Sequence, residues 1–323
     1  MNLSLTEDST NALVSIIIPT YNRVWGLPLA IRSALDQSHE LCEIIVIDDC
    51  SDDTTADIVA AFADSRLSYF RQPNHMGMVK NWGTGLQFAK GEFIVFLADD
   101  DQLRPNFVMN RLRSMRDGPP GVIVAFSQYD VRDRNGMLLA VQNQDQNKTI
   151  RLEGRELLQA ALARRWFIGA SMYGKKAVLQ VWDSIAHDDL VLDLGLNVRL
   201  AVAGLGSGIF IGESDFIMTS HPDQNSLAKR EQVFQQTSTT LARILQEGLP
   251  ARYSSMIKQE LASWHVVWGR SLARQGLMAE ARSHFRQALR SYPTLLWAWK
   301  QLALSWLCPG RLKNAELRRE SLE

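Results

Sequence analysis

Glu92-Phe93-Ile94-Val95-Phe96-Leu97-Ala98-Asp99-Asp100-Asp101 runs an apolar strand straight into three consecutive carboxylates. No basic residue separates them. Crowded like charges cost free energy unless a cation sits among them or water solvates them well. Hard oxygen ligands on a short loop suit Mg²⁺ or Mn²⁺ carrying a diphosphate. Alone, the run reads as a solvated acidic turn that caps a helix; the segments upstream of it change that reading.

Val14-Ser15-Ile16-Ile17-Ile18 is β-branched and apolar and ends at Pro19, and Ile44-Ile45-Val46-Ile47 closes on Asp48-Asp49. Both read as buried strands. Between them, residues 27–37 carry Leu27, Ile31, Ala34 and Leu35 at helical spacing. Ser51, Asp52 and Asp53 offer N-caps to a helix over 54–62. A short strand over 67–71, a helix over 80–90 and a strand over 93–97 follow. Strands alternating with helices imply an α/β fold with a mostly parallel sheet and right-handed crossovers. Such sheets bind ligands beyond the carboxyl ends of their strands. Pro19-Thr20-Tyr21, Asp48-Asp49 and Asp99-Asp100-Asp101 all fall at such ends, which points to a nucleotide-type site. The first strand ends in Pro-Thr-Tyr-Asn rather than a Gly-x-Gly-x-x-Gly turn, which disfavours a dinucleotide oxidoreductase.

Further along, the pattern predicts a helix over 106–115, a strand over 121–128 and a polar hairpin or excursion over 130–146. A helix over 152–163, a strand over 167–173, helices over 175–182 and 193–203, and a final strand within 208–218 complete the α/β part. From about Gln232 the chain reads as wholly helical. Gly269, Ala281, Phe285, Ala288 and Pro293 stand at the separations of one tetratricopeptide-like hairpin, followed by an amphipathic helix over 294–307. A single repeat cannot bury its own face and needs the α/β domain or a partner. The expected organisation is a tail over 1–12, an α/β domain over 13–228 (nucleotide part 13–101, acceptor-side part 102–228) and a helical appendage over 229–323.

The 323 residues are 46% apolar and 22% charged, an ordinary globular composition. Thirty-five Lys and Arg balance 35 Asp and Glu, which argues against nucleic acid as the main partner. Cys42, Cys50 and Cys308 lack metal-ligand spacing, and so sparse a set suggests a reducing, cytoplasmic setting. Residues 1–11 lack the regions of a signal peptide. No apolar run reaches the ~18 residues of a membrane span. Asn147-Lys148-Thr149 has the glycosylation pattern, which a cytoplasmic chain would not use.

Read in order, Val14–Arg23 (VSIIIPTYNR), Glu43–Thr54 (EIIVIDDCSDDT), Asn74-His75-Met76-Gly77, Lys80-Asn81-Trp82-Gly83 and Ala89–Asp101 (AKGEFIVFLADDD) resemble glycosyltransferase family 2. These are inverting nucleotide-sugar enzymes of GT-A fold, and the resemblance covers residues 14–226. It implies that the loop Pro19, Thr20, Tyr21, Asn22 and Arg23 holds the nucleobase side of the donor. It implies that Asp49, with Asp48 beside it, hydrogen-bonds base or ribose; a helix cap at Ser51 is the plainer use of this pair. Asn74, Gly77, Lys80 and Asn81 match the segment over base and diphosphate. Lys80 pairs a phosphate or is an exposed helix lysine. The acidic run matches the family's metal-binding DxD region and implies Mn²⁺ or Mg²⁺. Ala98 stands where many members have the first Asp, and the spacing survives as Asp99 and Asp101. Asp100 falls where the metal is usually gripped, so which carboxylate ligates stays open.

Inverting transfer needs a base for the acceptor hydroxyl and a cation for the leaving diphosphate. The resemblance places the base at Asp193, in Leu192-Asp193-Leu194, with Asp188 and Asp189 as rivals and a helix N-cap as the plainer role. His221 matches loops that close over the diphosphate or complete the metal shell. Trp166 to Tyr173 and Trp182 are candidates for the acceptor pocket or for core. The implied donor is a UDP-sugar, and the acceptor a glycan or a lipid-linked glycan of bacterial surface polysaccharide. The C-terminal helices are candidates for a protein partner or a peripheral membrane contact. A degenerate, non-catalytic relative acting through its helical tail is the alternative.

Overall fold

The computed structural model describes residues 11–116, 120–142, 148–185, 190–222, 229–307 and 312. Its chain divides into two compact units, residues 1–228 and 229–323.

In the first unit, strands β1 (Val14–Thr20), β2 (Cys42–Asp48), β3 (Leu67–Arg71) and β4 (Phe93–Phe96) alternate with helices α1 (Leu27–Leu35), α2 (Thr55–Ala60) and α3 (Met78–Phe88). β3, β2, β1 and β4 lie side by side and parallel. All seven residues of β1 are buried, as expected of a central strand covered on both faces. One face presents Val14, Ile16 and Ile18 to Leu27, Ala30, Ile31 and Ala34 of α1. α3 covers the other. Gly85 of α3 lets it approach so closely that a Cβ there would lie 2.4 Å from Ile17 Cγ2.

β1 runs two residues past the expected end, through Pro19. Its pairing with β4 stops at Ile17, so the donor that proline lacks has no strand to meet on that side.

The chain then forms β5 (Gln102–Leu103), α4 (Phe107–Arg116), β6 (Val122–Ser127), β7 (Tyr129–Asp133), β8 (Leu138–Gln142), β9 (Ile150–Leu152) and α5 (Gly154–Leu162). β10 (Ser171–Gly174), α6 (Lys175–Val181), α7 (Leu192–Val202), β11 (Ser207–Ile211) and β12 (Phe216–Ser220) complete the unit. The large sheet has the order β3-β2-β1-β4-β10-β6-β11-β9, and a second sheet has the order β5-β12-β7-β8. The single strand expected within 208–218 is therefore two strands in two sheets. Gly212-Glu213-Ser214-Asp215 makes the crossing. The strand expected over 167–173 shortens to Ser171–Gly174.

Arg111, fully buried on α4, ties the two sheets together. It donates to Asp215 Oδ2 at 2.8 Å, to Ser127 Oγ at 2.7 Å and to the Ala170 carbonyl at 2.8 Å. Its guanidinium carbon lies 3.4 Å from the Phe107 ring centroid. Removing one member of a buried ion pair strands the other. Arg111→Met is expected to cost about 3–5 kcal/mol in urea unfolding; a loss under about 1 kcal/mol would mean that water reaches Asp215.

The second unit contains α8 (Arg230–Gln246), α9 (Ala251–Arg274), α10 (Met278–Ser291) and α11 (Leu296–Leu307). α9 and α10 form a tight hairpin. Ala281, Phe285 and Ala288 are fully buried, and a Cβ on Gly269 would meet Phe285 at 2.5 Å. Among the described residues no helix is long and apolar enough to cross a membrane. Cys42 is buried and Cys50 half-buried, both free thiols; burial pushes the Cys42 thiol up to about 12. Cys308, Asn147, the 1–10 part of the expected tail and the basic 313–319 stretch lie outside the described residues.

Candidate active site

The parallel strands β1, β2 and β4 end together, and the loops leaving them are cross-linked by side chains. Asp48 faces inward. Its Oδ1 accepts from the Ser51 amide at 2.9 Å and the Ser51 hydroxyl at 2.5 Å, and its Oδ2 accepts from Tyr69 Oη at 2.6 Å. Ser51 in turn accepts from the Asn22 amide at 2.9 Å, and Asn22 Oδ1 accepts from the Asp52 amide at 3.0 Å. Asn22 sits at φ 50°, a left-handed conformation that asparagine tolerates. Ser51 thus joins the β1 loop to the β2 loop instead of capping α2. Asp53 supports that helix, accepting from the Thr55 amide at 3.0 Å.

Asp49 holds the 74–77 segment. Its two oxygens accept from the amides of Met76 at 2.7 Å and Gly77 at 2.9 Å, and His75 Nδ1 lies 2.9 Å away. The His75 ring packs on Tyr21 with centroids 4.2 Å apart, giving an exposed aromatic face at the mouth of the site. Asn81 is buried and donates to the Ile47 carbonyl at 2.9 Å, which pins α3 to the end of β2. Asn74 is exposed. Lys80 is exposed too, lining a hollow with Met76, Gly83, Thr84 and Trp182 beside α3.

The acidic run splits three ways. Asp99 is buried under Arg23, whose Nη1 lies 3.4 Å from its Oδ1. Burial pushes its carboxyl up to about 7, against the pull of Arg23. Asp101 turns the opposite way and accepts from the Thr219 amide of β12 at 2.9 Å. Burial, then the charge of Asp100, raises it well above the usual carboxylate range. Asp100 turns toward His221. Its Oδ2 accepts from Arg23 Nη1 and lies 2.9 Å from His221 Nε2. Arg134 Nη2 reaches His221 Nδ1 at 3.3 Å and lies over the Trp25 ring at 4.2 Å, while Trp25 meets His221 edge-on at 5.0 Å. Sequence reading singled out neither Trp25 nor Arg134. Their chain positions carry no periodic signal: the pairing of β12 with β7 brings Arg134 to His221, and the neighbouring ends of β1 and β4 bring Trp25 to the acids.

This donor set fits a divalent cation. Asp100 Oδ2 and His221 Nε2 lie 2.9 Å apart on one side of the run, and burial disfavours the charged form of both neighbouring carboxyls, which a positive charge would offset. Among the described residues no three His, Cys, Asp and Glu side chains close a ligand set by themselves. Phosphate oxygens and water would have to complete the shell, as is usual for Mg²⁺.

The folded chain keeps the Asp99 proton to about pH 7, whereas an unfolded chain releases it near ~3.9. The folded state therefore binds more protons between those values, and stability falls as pH rises through that window. Asp99→Asn is expected to flatten that fall when urea midpoints are compared at about pH 5 and about pH 8; an unchanged slope would assign it to Asp101.

Asp193 occupies the first turn of α7, after an N-cap at Val191 that makes no side-chain cap bond, so it is not the cap. Burial pushes the Tyr129 hydroxyl up to about 12, and the charges of Asp193 and Asp101 both add to that shift. Tyr129 thus lies near both Asp193 and Asp101. Its rivals Asp188 and Asp189 lie outside the described residues. Trp166 and Tyr173 are core: Trp166 stacks on Phe126 at 5.4 Å, and Tyr173 Oη donates to Asn197 Oδ1 at 2.9 Å. Trp182 stacks on Phe96 at 5.5 Å.

A family model described as Glycosyl transferase family 2 matches residues 15–170. Escherichia coli WfgD, a UDP-Glc:alpha-D-GlcNAc-diphosphoundecaprenol beta-1,3-glucosyltransferase, is 30% identical over 181 residues, 55% of this chain and 71% of that protein. The Campylobacter jejuni GalNAc(5)-diNAcBac-PP-undecaprenol beta-1,3-glucosyltransferase is 38% identical over 108 residues, 32% of this chain and 35% of that one. The chain spans less than half the length of that protein and of two other curated relatives. Staphylococcus aureus TarS 1–349 in complex with UDP-GlcNAc matches with a TM-score of 0.67 at 14% identity, covering 95% of this chain and 92% of that one. The mannosyltransferase PcManGT from Pyrobaculum calidifontis, in complex with GDP-Man and Mn²⁺, matches at 0.58 and 18% identity, covering 96% and 86%. At such identities the structural likeness concerns the fold, which is GT-A. Ordered motifs on the ends of β1, β2 and β4, the family model that spans them and an alignment along most of WfgD together place this chain in glycosyl transferase family 2.

Proposed function

We propose that the protein transfers one sugar from a nucleotide-diphosphate donor, a UDP-sugar, to a glycan or lipid-linked acceptor with inversion, in the assembly of bacterial surface polysaccharide. The observation that carries this reading is the convergence of Arg23, Asp100, Arg134 and His221 at the strand ends. Support comes from WfgD and the Campylobacter protein, both named for beta-1,3-glucosyl transfer onto undecaprenol-linked glycans. UDP-glucose is an α-glycoside, so a β product means inversion.

In this mechanism the acceptor oxygen attacks the anomeric carbon from the face opposite the diphosphate. Its proton passes to the Asp193 carboxylate while the bond from carbon to diphosphate oxygen breaks. Arg23 and Arg134 offer positive charge and donors where that oxygen gains charge. A divalent cation held by Asp100 and His221, with Asp101 behind them, would supply Lewis-acid stabilisation of the same oxygen. The stacked Tyr21 and His75 offer a face to the nucleobase. The setting is cytoplasmic, at the inner face of the membrane, with the C-terminal helices meeting lipid or a protein partner.

The test is release of nucleoside diphosphate from a panel of nucleotide sugars, with Mn²⁺, Mg²⁺ or EDTA. Slow release from one donor, abolished by EDTA, supports the reading and names the sugar. Neither binding nor release from any donor overturns it.

A further inference from the structure

The formal net charge of zero conceals a division. Residues 229–323 hold 15 Lys and Arg against 7 Asp and Glu, whereas residues 1–228 hold 20 against 28. So large an asymmetry between halves suggests that the basic half meets an anionic surface.

Helix α11 shows what else that surface offers. Leu296, Trp299, Lys300, Ala303, Trp306 and Leu307 are exposed at the spacing of one helix face. Leu296 is 81% exposed, Trp299 54%, Trp306 59% and Leu307 79%. The buried positions of the helix are small or polar, Ala298, Gln301 and Ser305. A helix of a globular protein ordinarily does the reverse. Leu295, Trp297, Leu302 and Leu304 pack half-buried against the core of the hairpin.

A basic row borders the stripe. Arg282, Arg286 and Arg290 recur every fourth residue along α10, on one face. Arg282 Nη2 donates to the Ser305 carbonyl at 2.7 Å, and its guanidinium carbon lies 3.7 Å from the Trp306 ring centroid. Beyond α11 the sequence adds Arg311, Lys313, Arg318 and Arg319 against Glu316, Glu320 and Glu323.

We infer that the helical unit seats on an anionic lipid bilayer through the outer face of α11. Leu296, Trp299, Trp306 and Leu307 enter the boundary between headgroups and acyl chains, and Lys300, Arg286 and Arg290 reach the lipid phosphates. A second copy of this unit would bring like charge against like. A nucleic acid would use the cations but leave two leucines and two tryptophans in water. An anionic bilayer uses both. The inference gives the proposed transferase its contact with the membrane that carries a lipid-linked acceptor, and to that extent rests on that reading.

The test is co-flotation of the full chain with vesicles of phosphatidylcholine alone or with ~30% phosphatidylglycerol. Binding is expected to the anionic vesicles only and to weaken with salt. Leu296→Gln/Leu307→Gln is expected to weaken it at least about tenfold with the fold unchanged by circular dichroism. Arg286→Gln/Arg290→Gln is expected to remove the preference for anionic lipid. Equal flotation of the leucine variant, or none by the wild type, overturns the inference. So does a concentration-dependent dimer that the leucine variant loses, which would give the face to a second copy. An oligonucleotide complex without flotation gives the basic row to nucleic acid. Donor hydrolysis on the same samples separates the two readings. Hydrolysis without flotation removes only the docking, and flotation with neither donor binding nor hydrolysis removes only the transferase.

Discussion

Asp100→Ala is expected to lower donor turnover by about 10³-fold or more while leaving the protein folded. The Oδ2 of Asp100 is the meeting point of Arg23 and His221. Without it, the Arg23 guanidinium faces the cation with no carboxylate to offset it, and His221 loses its partner. Asp99 and Asp101 are turned to the β1 side and to Thr219, so neither carboxylate replaces it without rebuilding a loop. The loss should appear in kcat/KM for the donor and in Mn²⁺ affinity measured by calorimetry. Turnover within about tenfold of wild type would mean that the leaving diphosphate is neutralised by Arg23 and Arg134 instead.

Asp193→Asn is expected to lower kcat by about 10²–10⁴-fold with donor affinity within about twofold of wild type. The amide keeps the shape of the side chain and its place in the first turn of α7 but cannot take the acceptor proton. Because no side-chain cap bond is lost, thermal stability should barely move. Unimpaired turnover would shift the role to Asp188 or Asp189. A rise in KM with kcat preserved would make Asp193 an acceptor-binding group rather than the base.

The parallel half of the fold was legible because its signals are local. β1, β2 and β4 are short apolar runs closed by polar residues, and α1 and α3 carry apolar positions at helical spacing. The second sheet was not, since β5 is two residues long and β12 follows β11 after four residues that look like a bend within one strand. Adjacent residues with equal chemistry were equally opaque. Asp48 and Asp49 are the same side chain one position apart, yet the alternation of β2 sends one to Ser51 and Tyr69 and the other to the 76–77 amides. Trp25 and Arg134 come together only through tertiary pairing. In α11 the apolar count was visible, whereas which side faces outward depends on what α10 offers it.

The grip of Asp101 on the Thr219 amide has a consequence for how this chain can change length. His221 stands two residues beyond Thr219, so strand register, rather than a pliable loop, sets the imidazole's distance from the acids. A one-residue deletion anywhere in 212–215 that slid β12 along β7 would turn every side chain of that strand over and point His221 away. The hairpin turn at 134–137 lies under the same constraint through Arg134. Length variation among descendants of this chain should therefore gather in segments that both sheets ignore, and the bend between β11 and β12 should keep its four residues even where their identities drift.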